Sequence, residues 1–184
     1  APADKKRARG AILAQLGTTG VEPELEPSCT IVRVNPAGTE EFEKDLHCLA
    51  HTPYRTVMLA KTETVQQLEA LDGYKVIALC ETALGVLNAP AIAAAPNVVG
   101  LMWGAEDLLA SLGGTSSRKA DGGYRAVALH ARAAVLLAAR AHGKEAVDAV
   151  YTNNPDLAGL EEEAADAVAS GFSSKACIHP SQAA

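Results

Sequence analysis

The stretch "VIALCETALGVLNAP" (residues 76–90) decides the fold. Five apolar residues, Val76 to Cys80, stop at Glu81, and Thr82 then opens helix-like sequence. A short apolar run bounded in this way reads as a strand buried on both faces, the kind found in parallel sheets. The run delivers one carboxylate to its end. The same grammar recurs along the chain. Strands are read at 30–36, 55–61, 75–81, 98–104, 146–151 and 175–179, with 98–104 running into a turn at 107. Helices are read at 1–16, 40–51, 62–71, 85–95 (with Pro90 inside), near 123–142 and at 156–170. Strands alternating with helices mean parallel βαβ units. The segment "GTSSRKADGG" (114–123) is a polar loop, and no Gly-, Ser- or Pro-rich linker divides the chain, so residues 1–184 read as a single domain.

Polar residues close each strand: Arg33 and Asn35, Lys61, Glu81, Glu106 and Asp107, Tyr151 and Thr152, and His179. An open doubly wound sheet needs such groups only near one switch point. A (β/α)8 barrel gathers them all on one rim. The expected fold is therefore an α/β TIM barrel. Six strands are fewer than eight, the chain starts in a helix, and no helix follows "HPSQAA". The expectation is a barrel incomplete at both ends, lacking the first two strands and the C-terminal helix.

Composition narrows the function. The 184 residues are 48% hydrophobic and 21% charged, as in an ordinary globular protein. Lys and Arg total 16 against 22 Asp and Glu, a net charge of −6, which argues against nucleic acid as partner. The one basic run, "KKRARG" (5–10), reads as a solvated helix face. Cys29, Cys48, Cys80 and Cys177 are scattered without zinc-like spacing and read as reduced, buried thiols of a cytoplasmic protein. No apolar run approaches the roughly 18 residues of a membrane span.

Glu81 and Asp107 end neighbouring strands, so their carboxylates can converge on a hard cation such as Mg²⁺, which favours oxygen ligands. The alternative is that both merely cap helix N-termini. Arg33, between valines in "IVRVN", either clamps a substrate carboxylate or pairs with a structural acid. In "GAEDLLASLGGT" (104–115) the glycines let backbone N–H groups approach a carboxylate or oxyanion, a plain turn being the alternative. Gly104, Ala105 and Glu106 join Arg33 as substrate-binding candidates, although the Glu106 side chain should point away from that of Asp107. Lys61, at a strand end, either meets a phosphate or nucleotide or is simply solvated, the second being the preferred reading, and His179 reads as structural.

Several blocks, in order, carry a resemblance: "VRVNPAGTEEFEKDL", "VMLAKTET", "ALCETALGVLNAPAIA", "GLMWGAEDLLASLGG" and "KACIHPSQ". Together they resemble the citrate lyase beta-subunit-like family of the HpcH/HpaI aldolase superfamily. The resemblance implies a TIM barrel that binds Mg²⁺ and cleaves or forms a C–C bond in a carboxylated 3-hydroxyacyl-CoA of citryl, malyl, citramalyl or hydroxymethylglutaryl type. It places the metal ligands on Glu81 and Asp107 and the substrate arginine on Arg33. It also implies a cytoplasmic homotrimer with an acyl-CoA partner. Ala60 departs from the proline usual before the lysine. The family's acidic "DLED"-like block and C-terminal tail would lie outside this sequence. The alternatives are a pyruvate-type aldolase that needs no CoA, or a non-catalytic subunit that binds metal or acyl-CoA.

Overall fold

A computed structural model of the chain describes residues 2–15 and 25–183. The strands are β1 (Val32–Val34), β2 (Thr56–Leu59), β3 (Lys75–Cys80), β4 (Val98–Trp103), β5 (Glu145–Asp148) and β6 (Ser174–Lys175). They form one six-stranded sheet in sequence order, every neighbouring pair parallel. A doubly wound sheet would reverse its order partway. This one does not, and it curls as a half-barrel.

The helices are α1 (Pro2–Gln15), α2 (Glu40–Leu49), α3 (Gln66–Glu69), α4 (Ala83–Leu87), α5 (Ala89–Ala93), α6 (Ala105–Ser111), α7 (Ala126–Ala141) and α8 (Leu157–Ser170). The larger core lies between helices and sheet. Val32, Val34, Val57, Leu59, Val76, Ala78, Leu101 and Trp103 alternate onto that face, as the two-residue period of a strand requires. Buried Ala128, Ala131, Ala138 and Ala139 let α7 lie close against it. The other face carries a smaller cluster of Ile77, Leu79 and Met102, and Arg33 shares a register row with Met58, Ile77 and Gly100.

Several expectations are corrected. The helix expected at 62–71 shrinks to α3. Thr62 Oγ1 donates to the Leu59 carbonyl, and the Glu63 and Thr64 N–H groups donate to the Gln67 side chain, so the chain turns before it coils. The helix at 85–95 is two, divided at Asn88, because Pro90 lacks the N–H and its ring would meet the Val86 carbonyl. The turn after 104 is a helix, α6, so Glu106 and Asp107 occupy a first helical turn rather than a strand end. β5 stops at Asp148, leaving Tyr151 and Thr152 beyond it. β6 is two residues long, and His179 only caps the 3-10 turn Pro180–Gln182. The basic run on α1 is not wholly solvated. Arg9 pairs with Glu41 (2.7 Å) and Asp45 (2.9 Å), and Lys5 donates to Asn35. All four cysteines are free, but only Cys48 and Cys80 are buried. Among the described residues no helix is long and apolar enough to cross a membrane.

Candidate active site

The site begins with the residue after β3. Ile77 and Leu79 face the smaller cluster, and two positions on Glu81 continues the same face. Its side chain is 4% exposed. Thr82 does the capping. Its hydroxyl accepts from the Gly85 N–H at 3.1 Å, starts α4, and donates to Glu63. This leaves Glu81 free of the capping role.

Three cationic or N–H groups address the Glu81 carboxylate or its neighbour. The Lys61 N–H donates to Glu81 Oε1 at 3.2 Å, and Arg33 Nη2 lies 3.5 Å from the same oxygen. Lys61 Nζ pairs with Asp107 Oδ1 at 3.1 Å. One lysine thus joins the two carboxylates, by its backbone to one and by its side chain to the other. Its φ of +50° is left-handed, unusual for a residue with a Cβ and costing about 1–3 kcal/mol. Such strain persists where surrounding contacts over-determine the backbone.

Asp107 comes from the first turn of α6. Successive helical residues diverge by about 100°, so Glu106 and Asp107 cannot face the same way. Glu106 turns aside and accepts from the Ser117 hydroxyl at 2.6 Å, while Asp107 faces Lys61. Gly104 precedes α6 as its N-cap and offers no capping side chain. A Cβ on Gly104 would stand 3.0 Å from Glu81 Cβ and 3.1 Å from Glu81 Oε2, so the glycine makes room for the carboxylate.

Burial pushes the Glu81 carboxyl above the usual range, and the charge of Asp107 pushes it further; Arg33 and the Lys61 N–H oppose both. Two carboxylates set against each other, one without solvent, form a donor set suited to a hard cation. Among the described residues no three His, Cys, Asp or Glu side chains gather as a ready-made cage. Two carboxylates with the remaining positions left to water and substrate are nevertheless the usual arrangement for Mg²⁺.

Arg33, Lys61, Glu81 and Asp107 therefore come together, and Gly104 and Ala105 border them. The Glu106 side chain, Tyr151, Thr152 and His179 do not join, so the polar groups form an arc and not a complete rim. A cluster that the sequence reading missed lies on the helix side of the sheet. Asp148, fully buried, accepts from Trp103 Nε1 (2.6 Å), Arg132 Nε (3.0 Å) and Lys175 Nζ (3.0 Å), and Lys175 also meets Glu163 at 2.8 Å. Burial pushes Asp148 upward, but Arg132, Trp103 and Lys175 outweigh it and hold the carboxyl below the ordinary range. The available signal was Arg132, a charge in the middle of the alanine-rich "AVALHARAAVLLAARA".

The sequence profile of the HpcH/HpaI aldolase/citrate lyase family matches residues 1–180. A citrate lyase subunit beta-like protein of Mycobacterium tuberculosis is 51% identical over 182 residues, which cover 99% of this chain and 64% of that protein. A (3S)-malyl-CoA thioesterase of Cereibacter sphaeroides is 38% identical over 159 residues, 83% of this chain and 53% of that protein. Among solved structures, protein CitE of M. tuberculosis in complex with magnesium, acetoacetate and coenzyme A matches with a TM-score of 0.92 at 52% identity, over 99% of this chain and 65% of that one. The chain thus spans just under two thirds, or less, of the curated relatives it matches.

Proposed function

This chain belongs to the HpcH/HpaI aldolase/citrate lyase family, and on that premise we propose that it serves a Mg²⁺-dependent carbon–carbon lyase acting on a carboxylated 3-hydroxyacyl-CoA. The half-barrel is read as the corresponding part of a (β/α)8 barrel. One observation carries the proposal: the buried carboxylate of Glu81, just past β3, and the carboxylate of Asp107, in the first turn of the helix after β4, brought against each other and bridged by Lys61. The match to a structure that holds magnesium, acetoacetate and coenzyme A supports it.

Glu81 and Asp107 would hold the cation. When bound, it supplies Lewis-acid polarisation of substrate oxygens. The chain's own residues do the rest. Arg33, with 59% of its side chain exposed, presents a planar fork to a substrate carboxylate and fixes its orientation. The uncapped first turn of α6, at Ala105 and Glu106, points N–H groups toward a developing anion. In the cleavage a base takes the substrate hydroxyl proton, the hydroxyl-bearing carbon becomes the oxo group of the released acid, and the electron pair of the C–C bond moves into the thioester. The resulting enolate oxygen needs donors placed in advance until a proton is returned to the enolate carbon.

The test is Mg²⁺ titration by calorimetry into the wild type, Glu81→Gln and Asp107→Asn. Binding should be lost in both variants, and undiminished affinity in Asp107→Asn would sink the two-carboxylate site. The thioesterase relative favours a second reading, hydrolysis of the same thioester. Products separate the two, since a lyase yields a shorter acyl-CoA and an oxo-acid, whereas hydrolysis yields free CoA thiol.

A further inference from the structure

α2 carries a pair of side chains that the proposed chemistry does not use. His47 lies in its last turn, and His51 stands four residues further on, just past its end. Residues four apart share one side of a helix. Both histidines are exposed, and both line a groove of about 680 Å³ between α1 and α2. Their ring centres are 4.9 Å apart, with the planes inclined at 64°. Two imidazoles that share one metal ion, each nitrogen at about 2.0–2.1 Å, hold their centres about 5 Å apart.

His51 is also oriented for ligation. The last four carbonyls of a helix lack partners within it. That of His47 is met by His51 Nδ1 at 2.7 Å. A carbonyl can only accept, so Nδ1 carries the proton and, in the neutral ring, Nε2 keeps the lone pair. Metal-binding histidines are commonly fixed in this way, one ring nitrogen donating to a carbonyl while the other coordinates. The neighbouring charges permit a dication. Arg9 pairs with Glu41 and Asp45, and Lys44 with Glu40 and Glu41. Glu43, one turn before His47, lines the same groove. Cys48 does not join. It is buried, its Sγ lies 4.0 Å from the Arg9 carbonyl, and burial pushes its thiol up. No third ligand gathers with the pair among the described residues. The arrangement is a two-nitrogen chelate with its other positions left to water.

We propose that His47 and His51 form a metal site for a borderline transition-metal dication such as Ni²⁺ or Zn²⁺. Imidazole suits these ions, whereas Mg²⁺ takes oxygen ligands. The site is separate from Glu81 and Asp107 and does not depend on the lyase reading.

The experiment titrates Ni²⁺ and Zn²⁺ by calorimetry, at saturating Mg²⁺, into the parent protein and its His47→Gln, His51→Gln and His130→Gln variants. His130 is an exposed histidine on α7 and serves as the control. The exposed thiols Cys29 and Cys177 are replaced by serine throughout, so that they do not compete for the ions. Thermal melting confirms that each variant is folded. Losing one of two ligands should weaken both ions about 10–100-fold or more in His47→Gln and in His51→Gln. His130→Gln should bind like the parent. Saturating Ni²⁺ should raise the Tm of the parent and of His130→Gln, and leave the other two unmoved. Unchanged affinity in either variant of the pair overturns the chelate, as does an equal loss in His130→Gln. A parent protein that binds neither ion overturns it too, leaving His51 as a cap on the His47 carbonyl. Each of these failures leaves the Glu81 and Asp107 site standing.

Discussion

Gly104→Ala tests the site through a single added carbon. The backbone at Gly104 is extended (φ −135°, ψ 119°), which alanine adopts freely, so the effect is steric. The new Cβ would lie 3.0 Å from Glu81 Cβ and 3.1 Å from Oε2. Carbon atoms are comfortable at about 3.5–4.0 Å, so Glu81 must retreat by about half an ångström. Overpacking of this kind costs about 1–3 kcal/mol, and replacing glycine by alanine at an N-cap adds roughly 0.5–1 kcal/mol. For a chain of this size each kcal/mol lowers Tm by about 2–4 °C. Displacing a residue that supports or supplies metal coordination costs about 10–100-fold in affinity. The assay is Mg²⁺ calorimetry beside thermal melting. Gly100→Ala is the control, because its Cβ would press on Glu145, at 3.2 Å from the carbonyl oxygen, and not on Glu81. Both variants should lose stability, and only Gly104→Ala should lose cation affinity. Wild-type Mg²⁺ affinity in a folded Gly104→Ala would refute the claim that this glycine places a ligand.

Three further outcomes follow from the same geometry. The folded-state pKa of Glu81 is raised, so its protonated form favours folding, and that stability is present below the ordinary glutamate range and lost as pH rises through the elevated value. In chelator, Glu81→Gln should thus equal or exceed the wild type in Tm at pH 7–8, with the difference closing below about pH 4; a variant clearly less stable at pH 8 contradicts this. Arg33→Lys should leave Tm nearly unchanged, because the side chain is 59% exposed, yet weaken an oxo-acid such as oxaloacetate about tenfold, because lysine lacks the planar fork; unaltered affinity removes the clamp role. Lys175→Met should cost about 3–5 kcal/mol in denaturant unfolding, since it leaves buried Asp148 and Glu163 short of a partner, and a loss under 1 kcal/mol would mean the cluster on the helix side adds little.

Much of the architecture was legible because burial on two faces writes itself into sequence. The runs at 76–80 and 98–104 carry no charged residue, and they lie in what the structure makes the two six-residue strands. The edge strands were legible in place but not in extent. β1 pairs through three residues and β6 through two, because pairing on one side supports less ladder than apolar character alone suggests. α6 escaped notice because Gly104 is a poor helix signal. Its extended conformation, its close approach to Glu81 and the open helix end behind it depend on β3 lying alongside.

Local sequence by itself determined the parallel order of the elements and the arrival of Glu81 at the end of a buried strand. Both follow from residue periodicity and from the abrupt change from apolar to charged. Only the tertiary structure decided which charges meet. Lys61 looked solvated, yet a left-handed backbone turns its N–H to Glu81 and its ammonium to Asp107. Lys5 looked like one of several surface cations, yet Asn35, held in turn by Asp45, accepts its hydrogen bond. Asp148 looked like a strand residue of no account, and it is the centre of a buried ionic cluster. The reason is physical. Apolar burial is non-directional and can be read one residue at a time, whereas a buried charge is tolerated only through partners that come from elsewhere in the chain.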